Sequence, residues 1–173
     1  GPGRGYKHDL KHYANNDQVP DKTYFNELFR VSINQIIWGM NYYPQYLYHS
    51  GSVIWLKKTS GILSDAEIAF QSFSKLVNVY IHKWSGFQKE KSDRNMVRIH
   101  PNQKPIELYM WLLNKYAKKG DKILDTHLGS GSIAIACHEL GFDLTGCELD
   151  KDYYDSAMKR IKFCMAQKKL YRN

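Results

Sequence analysis

Apolar residues recur with helical spacing over residues 23–31, where Tyr24, Phe25, Leu28, Phe29 and Val31 share a stripe behind Pro20-Asp21-Lys22, so a helix is predicted there. A short β-branched and aromatic run, Gln35-Ile-Ile-Trp-Gly39, reads as a buried strand closed by glycine. Ser52-Val-Ile-Trp-Leu56 reads as a second strand, and residues 77–84 alternate like a third. Residues 66–70 fit strand or helix. Further on, Pro105 suits a helix first turn and is followed by Ile106, Leu108, Tyr109, Leu112, Leu113 and Tyr116 on one face, with Gly120 as the expected stop. Then come a strand over 122–125, a glycine-serine loop over 126–132, a helix over 133–140 capped by Gly141, a strand over 143–148, and a last helix from about 151 to about 169. Strand, glycine loop, helix, strand, helix is a βαβ unit, and it predicts an α/β chain with a mostly parallel, Rossmann-like sheet and helices on both faces.

With 173 residues, no repeat and no Pro/Gly/Ser linker, the chain reads as one domain with two halves, 1–99 and 100–173, dividing near Arg98 to Pro105. Apolar runs such as 31–38 and 133–137 are far below the roughly 18–20 residues that span a bilayer, so no membrane helix is expected. The glycine-rich, polar start shows no signal-peptide core. Cys137, Cys147 and Cys164 form no CxxC pair and are odd in number, which disfavours a disulfide framework and a four-ligand zinc site and makes a reducing cytoplasm the default. His8 and His12 stand four apart without HExxH, so no metal site is expected. Lys and Arg total 25 against 17 Asp and Glu, a net charge of +8, which points to a polyanionic partner whose counterions basic side chains release.

Ligands of open parallel sheets bind beyond the carboxyl ends of the strands, where a glycine loop lets backbone approach closely. Asp125-Thr-His-Leu-Gly-Ser-Gly-Ser132 occupies that place, and Glu148 follows about 20 residues on, where a carboxylate accepts ribose hydroxyls. The loop lacks GxxxxGK[ST] and carries no lysine, which argues against a nucleoside triphosphate. An acid leading into the loop suits an adenosine-bearing cofactor without a phosphate chain and with positive charge, a description that S-adenosylmethionine meets.

His100-Pro-Asn-Gln-Lys-Pro105, the helix, Ile123-Leu-Asp-Thr-His-Leu-Gly-Ser-Gly-Ser132 and Gly146-Cys-Glu-Leu-Asp150 together resemble the amino-methyltransferases that modify DNA at exocyclic nitrogens. The likeness is close over about 98–162 and looser over 23–38 and 64–73. With the cofactor loop near the C-terminus, the order resembles the permuted, beta-class group. The resemblance implies S-adenosylmethionine as cofactor, double-stranded DNA as substrate, and direct transfer to adenine N6, with cytosine N4 as the alternative target. Thr126-His127 in place of Pro-Phe resembles small adenine-N6 members. By the same likeness Asp125 and the backbone of Gly129, Ser130, Gly131 and Ser132 hold the methionine portion, Thr126 and His127 belong to the cofactor site, Glu148 takes the ribose, and Gln103, Lys104 and Pro105 close over the amino-acid tail. A short recognition segment near 85–98 brings Lys89, Lys91, Arg94 and Arg98 as DNA-contact candidates, and Tyr42 or Tyr43 is expected to stack on a flipped base. A short or relaxed recognition site, and a monomer or homodimer that shares the reading, are expected.

The family places an Asp/Asn/Ser-Pro-Pro-Tyr/Phe motif where the amine is held. No Pro-Pro dipeptide occurs in this sequence, and the motif is expected upstream of Thr23, so a catalytically inactive binding protein or a truncated chain is the rival expectation. On the last helix Lys159, Arg160, Lys162, Lys168 and Lys169 read as a solvated end more than as a phosphate contact.

Overall fold

A computed structural model describes residues 19–48, 51–59, 64–85, 89–91 and 96–170 of the chain. Helix α1, Lys22–Val31, starts where the Asp21 carboxylate accepts the Tyr24 amide at 3.0 Å, a side-chain cap on an otherwise orphaned donor. Strand β1, Ile36–Trp38, leads into a short 3-10 turn at Met40–Tyr42, entered through Gly39 in the left-handed region. Strands β2, Gly51–Leu56, β3, Ala66–Gln71, and β4, Val77–Ile81, complete a four-stranded sheet in the order β1-β3-β2-β4. Helix α2, Ile106–Tyr116, precedes β5, Lys122–Asp125; α3, Ser132–Leu140, then leads to β6, Asp143–Gly146, and α4, Lys151–Leu170, closes the order.

The α/β class and the helices on both faces are as expected, and residues 66–70, readable either way, are strand. Parallel pairing is shared with antiparallel: β2 with β4 and β5 with β6 run parallel, while β3 runs antiparallel to β1 and β2. Nine residues separate β2 from β3 in sequence, fewer than the dozen or more that a crossover to a parallel neighbour needs. Helix α2 ends at Tyr116 rather than near Gly120, with the Ala117 amide on Leu113 O; Gly120, at φ +95°, shapes the next turn instead.

Alternation along the strands divides the core. Val53, Trp55 and Ala69 face α2 through Leu108 and Leu112, while Phe70 on the opposite face packs with Phe25 and Leu47. Leu113 of the same α2 packs instead with Ala136 and Cys137 of α3 and, through partly buried Ile123 and Leu144, with the β5-β6 pair. One helix thereby anchors both sheets. Among the described residues β1 and β5 each keep one unpaired edge, and both strands line a single cleft of about 2220 Å³ that α2 floors with Tyr109, Leu112 and Leu113. No described helix is long and apolar enough to cross a membrane.

Candidate functional site

The carboxyl end of β5 delivers Asp125 into the cleft. Its Oδ1 accepts the His127 amide at 3.0 Å, and it has no ion-pair partner among the described residues. Burial raises its pKa above the ordinary carboxylate value, more than the His127 amide, His127 and Lys104 together lower it, and Glu148 adds to the rise. The cleft therefore holds a negative charge that is short of compensation.

The glycine loop turns on two left-handed residues, Gly129 at φ +54° and Gly131 at φ +71°. Two long-range hydrogen bonds tie it to the end of β6: Leu128 N donates to Cys147 O, and Cys147 N to Asp125 O, each at 2.8 Å. The Glu148 carboxylate completes the tie, accepting the Gly129 amide on Oε2 at 2.8 Å and the Asp150 amide on Oε1 at 3.0 Å. An ionised carboxylate has about four acceptor positions, so two stay open to hydroxyl donors. Glu148 thus shapes the loop while it lines the cleft.

The motif serines face inward. Ser132 Oγ donates to Lys104 O at 2.7 Å and lies 3.2 Å from Ser130 Oγ, and both residues are buried. From α4, Arg160 reaches behind the loop to Ser130 O at 2.7 Å, to Ser132 Oγ at 3.1 Å and to Met96 Sδ at 3.2 Å. Arg160, expected on a solvated end, instead pins the glycine loop, because buried carbonyl and hydroxyl oxygens need donors. Gly131 sits against α4 as well, away from the cleft lining, and Ser132 opens α3. Only Gly129 and Ser130 of the glycine-serine turn border the cleft, together with Asp125, Thr126, His127 and Leu128.

The segment before α2 is equally constrained. Gln103 is buried, with its Oε1 accepting the Ile99 amide at 2.9 Å, its Nε2 donating to Val97 O at 3.2 Å and its carbonyl accepting Trp84 Nε1 at 2.9 Å. Pro105 is fully buried at the α2 start. His100 is buried edge-on to Tyr153, ring centroids 4.6 Å apart, and its Nδ1 accepts the Asn102 amide at 3.1 Å. Burial lowers its pKa, so the ring is held neutral. Of this segment Lys104 is the residue whose charge enters the cleft. Its Nζ is 2.9 Å from Glu67 and lies over the Trp38 ring at 5.5 Å.

Three participants carry no sequence signal. Glu67, on β3, also pairs with Lys57 at 2.6 Å. Burial pushes the Glu67 carboxyl up, but Lys104 and Lys57 outweigh it and hold it below its usual value. Tyr24, on α1, brings its hydroxyl within 2.9 Å of Thr126 Oγ1, which is itself 3.0 Å from His127 Nδ1. That contact joins the first half of the chain to the loop.

Tyr42 is 68% exposed at the cleft wall, whereas Tyr43 packs its ring 5.3 Å from Phe25. Among the basic residues expected at a nucleic-acid surface, Lys91 is exposed. Lys89 donates to Met96 O and lies over Trp84, and Arg98 donates to the carbonyls of His100 and Pro101. Arg94, and the region ahead of residue 19 with His8 and His12, lie outside the described residues.

Comparison with known proteins follows this geometry. Type II methyltransferase M2.DpnII of Streptococcus pneumoniae is 33% identical over 79 residues, 46% of this chain and 29% of that protein. Type II methyltransferase M.HpaI of Haemophilus parainfluenzae is 34% identical over 62 residues, 36% of this chain and 20% of that protein. The matched stretches thus span less than a third of these relatives' lengths. The crystal structure of the M1.HpyAVI-SAM complex superposes with a TM-score of 0.61 at 19% identity, covering 83% of each chain, which shows a shared fold. The family model N6_N4_Mtase, described as DNA methylase, matches residues 7–159. Covering most of the chain, that match carries the conclusion that the two clefted sheets and their glycine loop belong to a member of the N6/N4 DNA methylase family.

Proposed function

We propose that the cleft binds S-adenosylmethionine and that the protein directs methyl transfer to the exocyclic N6 of adenine in double-stranded DNA. The carboxylate of Asp125 at the carboxyl end of β5, partly buried and without an ion-pair partner among the described residues, is the observation that carries this reading, since withdrawing an uncompensated charge from water is costly and a cationic ligand relieves that cost. The residues present fit the cofactor by their chemistry. Asp125 suits the positive end, Glu148 has acceptor capacity for ribose hydroxyls, and the positive-φ backbone at Gly129 leaves room for close approach. When bound, the cofactor supplies an electrophilic methyl group on sulfur.

The chain's own residues bind and orient. Glu148 fixes the loop amides before any ligand arrives, so the site is preorganised and less ordering is needed on binding. Lys104 offers a cation to the carboxylate of the amino-acid tail. Tyr42, exposed at the cleft wall, is the better placed of the two tyrosines to stack on a flipped base, because Tyr43 is held against Phe25. Among the described candidates Lys91 is the exposed one, and its charge suits a phosphate contact. The cleft is larger than the roughly 300–1,000 Å³ of single-ligand pockets, which leaves volume for a base beside the cofactor.

A second reading, cofactor and DNA binding without transfer by this chain alone, is favoured by one observation: no Pro-Pro dipeptide occurs in the 173 residues. Incubation of the protein with methyl-labelled S-adenosylmethionine and unmethylated duplex DNA, followed by nucleoside analysis, tests both. N6-methyladenine supports the first reading, N4-methylcytosine redirects its target, and binding without label transfer selects the second. Absence of cofactor binding refutes both.

A further inference from the structure

Lys57, Glu67 and Lys104 form a chain of charges in the lining of the cleft that also holds Asp125. Glu67 is bracketed, with Lys57 Nζ at 2.6 Å from one oxygen and Lys104 Nζ at 2.9 Å from the other. Each lysine also lies over an indole, Lys57 over Trp55 at 5.3 Å and Lys104 over Trp38 at 5.5 Å. The lysine side chains are 16% and 13% exposed, so neither is a freely solvated charge. Lys104 is also tethered through its carbonyl to Ser132 of the loop. It acts on Asp125 through space without pairing with it.

A lysine with a flexible four-carbon stem, set in the same cleft as a partly buried carboxylate without an ion-pair partner among the described residues, has a strong incentive to collapse onto it. Such a collapse neutralises the group that the cationic cofactor needs. The competing carboxylate of Glu67 removes the incentive, because it already pairs with Lys104 at 2.9 Å. We infer that Glu67 is a positioning residue for the cofactor site: it holds Lys104 over Trp38 and away from Asp125, leaving the Asp125 carboxylate open to a cationic ligand. This rests on the reading of the cleft as an S-adenosylmethionine site. Lys57 holds Glu67 in turn, and the other charged or titratable groups acting on Asp125 are His127 and Glu148, with Tyr109 near both carboxylates.

The test is a double-mutant cycle on the full chain with Glu67→Gln and Lys104→Met, read two ways. In calorimetry, Glu67→Gln weakens S-adenosylmethionine binding on the order of tenfold, the size of coupling between charged neighbours that share partners. It leaves 5′-methylthioadenosine, which has neither sulfonium nor amino-acid tail, nearly unchanged, and its effect disappears in the Lys104→Met background. Equal loss of both ligands, or an undiminished loss without Lys104, overturns the inference, because either means that Glu67 acts as mere scaffold.

The second readout needs no ligand. In carboxyl-carbon NMR titration of the apo protein, the Asp125 pKa falls in Glu67→Gln, as Lys104 moves onto it, and returns towards the parent value when Lys104→Met is added. An Asp125 titration unmoved by Glu67→Gln refutes the positioning role even if the cleft turns out to bind something else. Failure of the parent protein to bind S-adenosylmethionine, with the Asp125 titration shifting as described, refutes the function proposed above and the cationic-ligand clause, and leaves the Glu67-Lys104 restraint standing.

Discussion

Gly131→Ala tests the closeness of the glycine loop to α4. Gly131 has φ +71°, a conformation that costs an L-residue roughly 1–2 kcal/mol. A β-carbon there would lie 2.7 Å from Ile161 Cδ1, closer than real Cβ contacts come, and 3.0 Å from Ile161 Cγ1, tighter than most, with Ala157 Cβ at 3.5 Å. Overpacking of this kind costs about 1–3 kcal/mol. The substitution is expected to destabilise by about 2–5 kcal/mol, a large share of the roughly 5–15 kcal/mol that holds a domain together. Ile161→Val deletes the nearer methyl at a cost of its own of about 0.5–1.5 kcal/mol. In that background the 2.7 Å contact is gone while the 3.0 Å contact with Cγ1 stays, so Gly131→Ala should cost less than in the parent, approaching the roughly 1–2 kcal/mol of the backbone conformation. Urea unfolding at constant slope measures all four proteins. A Gly131→Ala penalty below about 0.5 kcal/mol, the size of an ordinary surface change, refutes the close approach; an equal penalty in both backgrounds refutes Ile161 as its cause.

Other outcomes follow from the same site. Asp125→Asn keeps the acceptor for the His127 amide but removes a charge that burial disfavours; since the folded pKa is raised, the ionised form costs stability as pH rises from the unfolded value of about 3.9 through the folded one. The variant is expected to melt higher than the parent at pH 7 and to bind S-adenosylmethionine much more weakly, and a lower melting temperature or unchanged calorimetric affinity contradicts this. Arg160→Met strips charged donors from Ser130 O and Ser132 Oγ and should cost about 1.5–3 kcal/mol in thermal or urea unfolding, where a solvated surface arginine costs almost nothing. His100 has a lowered folded pKa, so the stability it contributes is complete above the unfolded value of about 6.5 and is lost as pH falls from there through the folded pKa. His100→Gln should flatten that acid-side decline in melting temperature, and an unaltered slope between pH 7 and 5 removes His100 as its source.

Legibility in the sequence follows the range of the interaction. Asp21, Pro105 and Gly141 mark helix ends by local chemistry, and all three stand at the ends of α1, α2 and α3. Gly120 misleads because Ala117 ends the helix three residues earlier and the glycine is needed for a turn. Residues 66–70 are ambiguous by periodicity, being short and apolar, and pairing with β1 and β2 decides them. In the site, Asp125, Gly129 and Glu148 are visible because a strand end, a positive φ and a following acid are features of spacing. The direction of a polar side chain is not: Gln103, Ser130 and Ser132 carry the motif letters, yet each spends its hydrogen bonds on the protein interior. Glu67, Lys57, Tyr24 and Arg160 come from elements 28 or more residues from the partners they meet at the site, or from the neighbouring strand, so no local pattern announces them.

The division of labour inside the motif explains why so few side chains reach the cleft. A loop that bends through two left-handed glycines exposes its amides, and any hydroxyl it carries must either meet solvent or find a buried partner. The Ser132 hydroxyl finds Lys104 O and the Arg160 guanidinium behind the loop, and the Ser130 hydroxyl finds Ser132 Oγ, so the surface offered to a ligand is backbone plus the carboxylates of Asp125 and Glu148. Backbone contacts select for shape and tolerate changes in side-chain identity, whereas the two carboxylates select for charge and for hydroxyl donors. On the proposed reading, discrimination between a cationic cofactor and its uncharged product-like analogues falls on Asp125, and it persists only while Lys104, whose charge acts on Asp125, is kept occupied by Glu67.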